Sequence, residues 1–528
     1  MKAIDTDAVK GSQEYHEHAV APEQGSIKKF EIESSTSEQT VWQELKSNHR
    51  VVAYAFLANA GSLTFGFDIL VTGAITALPS FSMSFGEQYK GQLILPALWQ
   101  GLWTAFIQIG IMMGAAFNGP FQDKFGRRLA FALGGVATAL GTAMAFTSPD
   151  LKTLVARRVL FLFSKIVTGM GMGILMTTCQ TYISDISPVK LRGALLAFFP
   201  FMTSVGQMIA ITIVFSRIMV LDISSFKVPF ATQWAFSGLA LLAALILPES
   251  PVILVSQDKT EAAQKSYSRL HGSTSDVALA LTQIRAVLDH EKELDASSGN
   301  SSFSECFQGV NRRRTFIIII VALLQYFLGV SILANANYFL IMAGMSPTQS
   351  LQMSQIGVGV SMVTIAIAFV TITKFGRRTI VLWSSIAAAT VFVAMGIAGC
   401  FPDNKSATRF VGASIIASGA VTNLGVGATW PVLISELSSV RLRAKSSAIG
   451  FITNAFAGVV FSISVPYMFN VDAGNLGGKI GFIFAALSIL SFVLSFLFVP
   501  ETKARSFEEL DILFERRVSA RRFATTLI

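Results

Sequence analysis

Twelve stretches of this chain are apolar for long enough to cross a lipid bilayer, and nothing else in it restricts the fold as much. They run over about 51–75, 96–118, 129–147, 159–183, 194–216, 231–248, 315–340, 352–372, 380–400, 409–434, 447–469 and 480–499. A hydrocarbon core of about 30 Å takes roughly 20 residues of helix. Lipid offers backbone groups no partner, so each run must bond within itself, as a helix does. Only 14% of the residues are charged, against about 25% in a soluble domain. Mean hydropathy is +0.57. The expected fold class is an all-α membrane protein.

The runs fall into two matched sets. Gly119-Pro-Phe-Gln-Asp123-Lys-Phe-Gly126-Arg127-Arg128 lies between the second and third, and Thr373-Lys-Phe-Gly376-Arg377-Arg378 copies it 250 residues on. Asp185…Arg192-Gly193 is echoed by Glu436…Arg443-Ala444 at an offset of 251, and Pro248-Glu249 by Pro500-Glu501 at 252. Three pairs that drift by only two residues mark two copies of one ancestral half joined in parallel, a transporter signature when the halves are membranous. The expected domains are an N-terminal tail (1–50), a six-helix half (51–248), a charged, Ser-rich linker with short surface helices (249–314), a second six-helix half (315–499) and a C-terminal tail (500–528).

The net charge of +9 sits in loops rather than on one face, which indicates membrane topology and not nucleic acid. Lys124, Arg127, Arg128, Lys190, Arg192, Lys374, Arg377, Arg378, Arg441, Arg443 and Lys445 share one side. This predicts a multi-pass protein with both termini in the cytoplasm; the plasma membrane is the membrane expected for it. Residues 1–50 hold no apolar signal-peptide core, so the first helix is its own insertion signal. Arg157 and Arg158 fall on the external side against the trend, where snorkelling to headgroups is one account. Asn404-Lys-Ser406 is a glycosylation sequon in an external loop; Asn300-Ser-Ser302 would lie in the cytoplasm and is discounted. Cys179, Cys306 and Cys400 form neither a disulfide framework nor a metal spacing. No cofactor, metal, ATP-binding or catalytic constellation appears, so neither an enzyme nor an ATP-driven pump is expected.

Two charges stand well inside spans. Asp68 lies some seven residues before the outer end of the first helix, and Lys165 some six residues after the start of the fourth. At about 1.5 Å per residue both sit near 10 Å below the outer face. An unpaired charge there costs roughly 2.5–3.5 kcal/mol, so a pair is expected. A static structural salt bridge is the plainer reading of it.

The chain resembles a sugar porter of the major facilitator superfamily, and fungal sugar and α-glucoside permeases in particular. Phe65-Gly-Phe-Asp68, the Gly119–Arg128 knot, Asp185…Arg192-Gly193, Pro248-Glu-Ser-Pro251, Gln325…Gly329 and Pro500-Glu-Thr-Lys-Ala-Arg505 carry the likeness over about 50–505. It implies the major facilitator fold, twelve transmembrane helices, and alternating access by two rocking halves. It implies that Asp123, Arg127 and Arg192 hold an inner gate shut in the outward-facing state. Asp185, Glu249, Glu436 and Glu501 are then partners, and Arg377 and Arg443 the second-half counterparts. Thr373 in place of an acid suggests a weaker latch there. Topology signals alone are the competing account.

The resemblance also implies that Asp68 carries a proton and that the cation at Lys165, an arginine in the proton-coupled pattern, modulates it. Lysine can lose its charge when buried, unlike arginine. The solute site is expected on helices seven, ten and eleven, from Gln325, Ser331, Asn335, Asn337, Asn423, Trp430 and Asn454, although a lone amide in a membrane helix is commonly interhelical glue. Pro200 replaces a helix-five amide, Ser331 a helix-seven asparagine and Pro431 a helix-ten aromatic. Acids of the α-glucoside permeases are absent at Phe65 and near Ile111, as is a basic residue near Phe451. The site is therefore less polar than a disaccharide site. The expected function is proton-coupled uptake of a sugar or sugar-like solute by a monomer in the lipid bilayer. Export of a fungal secondary metabolite and passive facilitation are the alternatives. A nutrient sensor fits poorly, because only about 28 residues follow Pro500.

Overall fold

The computed structural model describes residues 46, 48–272, 277–297, 303–438, 442–503, 505, 507–523 and 525–526. Contacts group Met1–His49 as one unit and Arg50–Ile528 as another. In chain order the helices are α1 (His49–Ala58), α2 (Ala60–Ile75), α3 (Pro79–Phe85), α4 (Ala97–Phe125), α5 (Arg127–Thr147), α6 (Leu154–Ile186), α7 (Val189–Ser216) and α8 (Ser224–Ile246). Next come α9 (Pro251–Ser256), α10 (Thr260–His271) and α11 (Val277–Ser297) in the expected linker. The remainder are α12 (Gly309–Phe327), α13 (Val330–Ala334), α14 (Ala336–Met342), α15 (Pro347–Lys374), α16 (Arg377–Ala398), α17 (Lys405–Leu424), α18 (Val426–Leu437), α19 (Arg443–Phe469), α20 (Ile480–Phe498) and α21 (Phe507–Glu515). Among the described residues one hairpin, β1 (Glu87–Tyr89) with β2 (Gln92–Ile94), is present, and it joins α3 to α4.

Among the described residues, eleven helical segments are long and apolar enough to span a membrane. The predicted span 315–340 is not one of them, because it breaks into α12, α13 and α14. The first break is at Gly329, whose φ of +82° is cheap only for glycine. The second is at Asn335. Among the described residues, helices α1–α8 pack chiefly with one another, as do α12–α20. The α4–α6 seam is lined by glycine: a Cβ on Gly110 would lie 2.4 Å from the Ile166 carbonyl, and one on Gly114 would lie 2.1 Å from that of Met170. Small residues let membrane helices approach at the backbone, where van der Waals contact replaces the hydrophobic drive.

Hydrogen bonds between the two groups of helices gather at the end where α4 begins. Tyr338 Oη accepts from Leu95 N at 2.9 Å, Asn470 Nδ2 donates to Leu95 O at 2.7 Å, and Asp472 Oδ2 accepts from Ala97 N at 3.0 Å. Thr104 Oγ1 donates to Ser462 O at 3.1 Å, and Gln355 Nε2 to Thr212 Oγ1 at 3.3 Å. The α4 helix of 29 residues is about 43 Å long, so this closure stands a membrane's thickness from the Asp123–Arg127 knot. We expect Asn470→Ala to loosen it. One lost hydrogen bond of about 1 kcal/mol shifts an open–closed equilibrium roughly fivefold. Labelling of a cysteine placed at Leu95, whose side chain is buried in the closed mouth, should rise by about that factor, and unchanged labelling would show that these bonds do not hold the mouth shut.

Arg157 and Arg158 do not snorkel. Arg158 is buried, donates through Nε to Phe85 O at 2.8 Å and pairs with Glu87 at 3.0 Å. Arg157 reaches Leu151 O at 2.7 Å and Ser84 O at 3.4 Å. Together they bind the last carbonyls of α3, which a helix end leaves unsatisfied.

Candidate functional site

Asp68 on α2 and Lys165 on α6 are each 2% exposed and lie in each other's field, so burial brings the two expected charges together. They do not form the direct ion pair expected of them. Lys165 Nζ donates to Thr72 Oγ1 at 2.9 Å, and Thr72 Oγ1 donates in turn to Asp68 O at 3.0 Å. The ammonium rests over Phe161 at 4.5 Å and Phe230 at 5.6 Å, where ring quadrupoles attract it. The Asp68 carboxylate accepts instead from Gln233 Nε2 of α8. Gln233 Oε1 accepts from Thr142 of α5 at 3.4 Å. Phe81, Phe85, Trp103, Phe161, Phe226 and Phe230 pack in an aromatic cluster beside the lysine, with Trp103 and Phe161 centroids 5.1 Å apart. Charge here is held by a threonine and a glutamine that carry no charge themselves. That is why Thr72 and Gln233 escape a reading that searches spans for ionised residues. The only cue was spacing: Thr72 stands four residues after Asp68, on the same helix face.

The breaks in α12–α13 and α17–α18 meet, since Thr422 Oγ1 donates to Leu328 O at 3.3 Å beside Gly329 and Gly425. Discontinuous helices with freed backbone are where membrane carriers build solute sites. The expected amides divide. Asn335 is buried and donates to Ser331 O of its own chain turn at 3.4 Å, and Asn337 accepts from Ser354 at 2.6 Å. Asn454 Nδ2 donates to Ala322 O at 2.9 Å. These three act as helix-to-backbone or helix-to-helix ties, and Ser331 is buried among them. Gln325 and Asn423 are only half-buried, and no described hydrogen bond engages their side chains. The aromatic contribution is larger than expected. Trp430 packs edge-on to Phe451 at 5.4 Å, and Phe65 faces Phe199, next to Pro200, at 6.4 Å.

At the other end, Arg127 is the centre of a dense knot. Its guanidinium pairs with Asp123 at 3.0 Å and Asp185 at 3.1 Å and donates to Gln122 O at 2.9 Å. Among the described residues, Glu249 pairs with no guanidinium. It accepts from Arg127 N at 2.8 Å and Arg128 N at 3.2 Å, capping α5 where the dipole favours an anion. Gly126 (φ +93°) makes room, since a Cβ there would lie 2.4 Å from the Glu249 carboxylate. Glu501 repeats this on α16, accepting from Arg377 N at 2.8 Å. Arg377 pairs with Glu436 at 3.0 Å, and its Nε is buried without a partner. These bonds staple helices within each group. Arg192 is exposed, and the side chain of Arg443 lies outside the described residues. Asn404 is exposed and caps α17, accepting from Ser406 N at 2.9 Å. Asn300 lies outside the described residues.

A bundle of lipid-length helices, some of them broken, with charge buried inside it, is the build of a membrane transporter. The chain matches the Sugar (and other) transporter family over residues 54–514 and belongs to it. It is 32% identical over 503 residues to the MFS transporter fmqE of Aspergillus fumigatus, covering 93% of this chain and 92% of that one. It is 28% identical over 506 residues to the general alpha-glucoside permease of Saccharomyces cerevisiae, covering 94% and 80%. Among solved structures it is similar to the xylose transporter XylE from E. coli in an inward-open conformation. The TM-score is 0.72 at 22% identity, over 88% of this chain and 99% of that one.

Proposed function

We propose that this protein is a proton-coupled transporter of a sugar or sugar-like solute, working by alternating access between the groups α1–α8 and α12–α20. One observation supports the coupling above all: Asp68 and Lys165 share a buried site without touching. A carboxyl from which a cation has withdrawn binds a proton more tightly. The pair is then positioned to exchange ion pair for proton as the halves rock. The Tyr338–Asn470–Asp472 closure is the far gate, shut in this state, and the Arg127 and Arg377 knots brace the near one. Both termini lie in the cytoplasm, the membrane is the plasma membrane, Asn404 is the glycan acceptor, and the protein works as a monomer.

Gln325 and Asn423 are the groups free to meet a hydroxylated solute. Loss of one neutral hydrogen bond, about 0.5–1.5 kcal/mol, should raise KM roughly three- to tenfold in Gln325→Ala with kcat nearly kept. Labelled uptake over a panel of sugars and polyols in a transporter-null host, with and without a protonophore, tests the whole reading. Accumulation that collapses on uncoupling is expected; equilibration unaffected by the protonophore would leave a passive facilitator. A second reading, export of an apolar metabolite, draws on the few free amides and on the Trp430–Phe451 and Phe65–Phe199 pairs. Aromatic walls suit ligands with large apolar faces. Uptake of such a metabolite into inverted vesicles, with no sugar competing, would favour it.

A further inference from the structure

Lysine ammonium has three donors and no acceptor, and inside a bilayer each donor left without a partner is costly. Lys165 is fully enclosed, and one hydroxyl and two ring faces are its neighbours. Around it, α5 offers no charge, α8 offers Gln233 and α2 offers Asp68. Among the described residues, Asp68 is the charged group in whose field it lies. Phe161, one turn back on its own helix, supplies the nearer ring. The ammonium therefore has two possible acceptors on α2, one turn apart: the Asp68 carboxylate and the Thr72 hydroxyl. In this structure it occupies the second, and Gln233 has taken its place at the first.

We propose that Thr72 is a positioning residue, a berth that holds Lys165 away from Asp68 while Asp68 carries its proton. Its hydroxyl is suited to this. It turns its own proton onto Asp68 O and presents a lone pair to the ammonium. When Lys165 leaves the berth for the carboxylate, the ion pair displaces the proton. When it returns, the carboxyl regains affinity for one. The cation moves by rotation about its own side-chain bonds, and α2 and α6 need not separate. The berth matters only if Asp68 is the proton carrier, so it rests on the function proposed above.

Thr72→Val keeps the shape and removes the acceptor; Thr72→Ser keeps the acceptor. In proteoliposomes driven by an imposed pH gradient, Thr72→Val should need a more acidic donor side. The midpoint of the uptake–pH curve should move down by about one unit, a tenfold change in proton affinity. KM for solute in equilibrium exchange should stay within about twofold, since no solute group is touched. Thr72→Ser should restore the midpoint. A Thr72→Val curve that overlays the wild type, or one that Thr72→Ser fails to restore, overturns the berth. Asp68→Asn separates this from the larger reading. If that variant still accumulates solute on a pH gradient, the proton carrier lies elsewhere. If it does not, and Thr72→Val is unmoved, the berth alone is wrong.

Discussion

Asp68→Asn should still equilibrate solute across the membrane but never concentrate it. Asparagine keeps the size of the side chain and an oxygen that can accept from Gln233 Nε2. It cannot take up a proton. One pH unit across the bilayer is about 1.4 kcal/mol, enough to hold a one-to-one symported solute about tenfold above equilibrium. The variant should lose that whole factor, and its rate should no longer fall as the donor side is made alkaline. Counterflow in proteoliposomes, where no net proton movement is required, should survive. Labelled uptake under an imposed pH gradient measures the first effect, and exchange at equal pH the second. Gradient-driven accumulation by the variant would remove Asp68 from the coupling path.

Arg127→Gln should cost far more stability than Arg377→Gln, although the two arginines occupy matching places in the repeat. Arg127 is the more enclosed side chain, at 8% exposure against 19%, and it serves two carboxylates and a helix-end carbonyl. Removing it leaves Asp185, which is 13% exposed, without a cation and with only the Ser250 hydroxyl as a described partner. Breaking a buried pair from one side costs about 3–5 kcal/mol. Arg377 holds a single carboxylate, Glu436, which also accepts from Thr502, reaches the Ile372 carbonyl only at 3.5 Å and leaves one nitrogen unbonded, so its loss should cost about 1–2 kcal/mol. Thermal unfolding of detergent-purified variants, followed by fluorescence-detected size exclusion, reads the difference. Equal losses would mean that the two knots bear equal strain and that the missing acid at Thr373 has no energetic counterpart.

Length and apolarity located the helices well, because a span must satisfy both at once and few sequences do so by accident. The repeat was legible for a similar reason: charge is rare in this chain, so each charged cluster stands out. What stayed hidden had the opposite character. Gly329 sits in an unbroken apolar run, and nothing in hydropathy distinguishes a glycine that continues a helix from one that ends it. Glu249 and Glu501 were visible as acids, but their partners are backbone N–H groups, which every residue owns. Leu95 and Ala97 are gripped in the same way, through their peptide groups, so their side chains give no hint. The amides of Asn335, Asn337 and Asn454 were found, but sequence left open whether each meets a solute or ties one helix to another. Whether an amide points to a neighbour or to an open space is decided by helix rotation.

The shattered seventh segment bears on bookkeeping of another kind. A rule based on length and hydropathy reaches eleven crossings among the described residues, an odd number. Odd parity would send beginning and end of the polypeptide to opposite sides of the bilayer and turn every loop after Leu328 inside out. Three short rods laid end to end, Gly309–Phe327, Val330–Ala334 and Ala336–Met342, supply the missing traverse and restore even parity. Epitope tags inserted before and after this stretch should thus report opposite compartments, even though no continuous rod connects them.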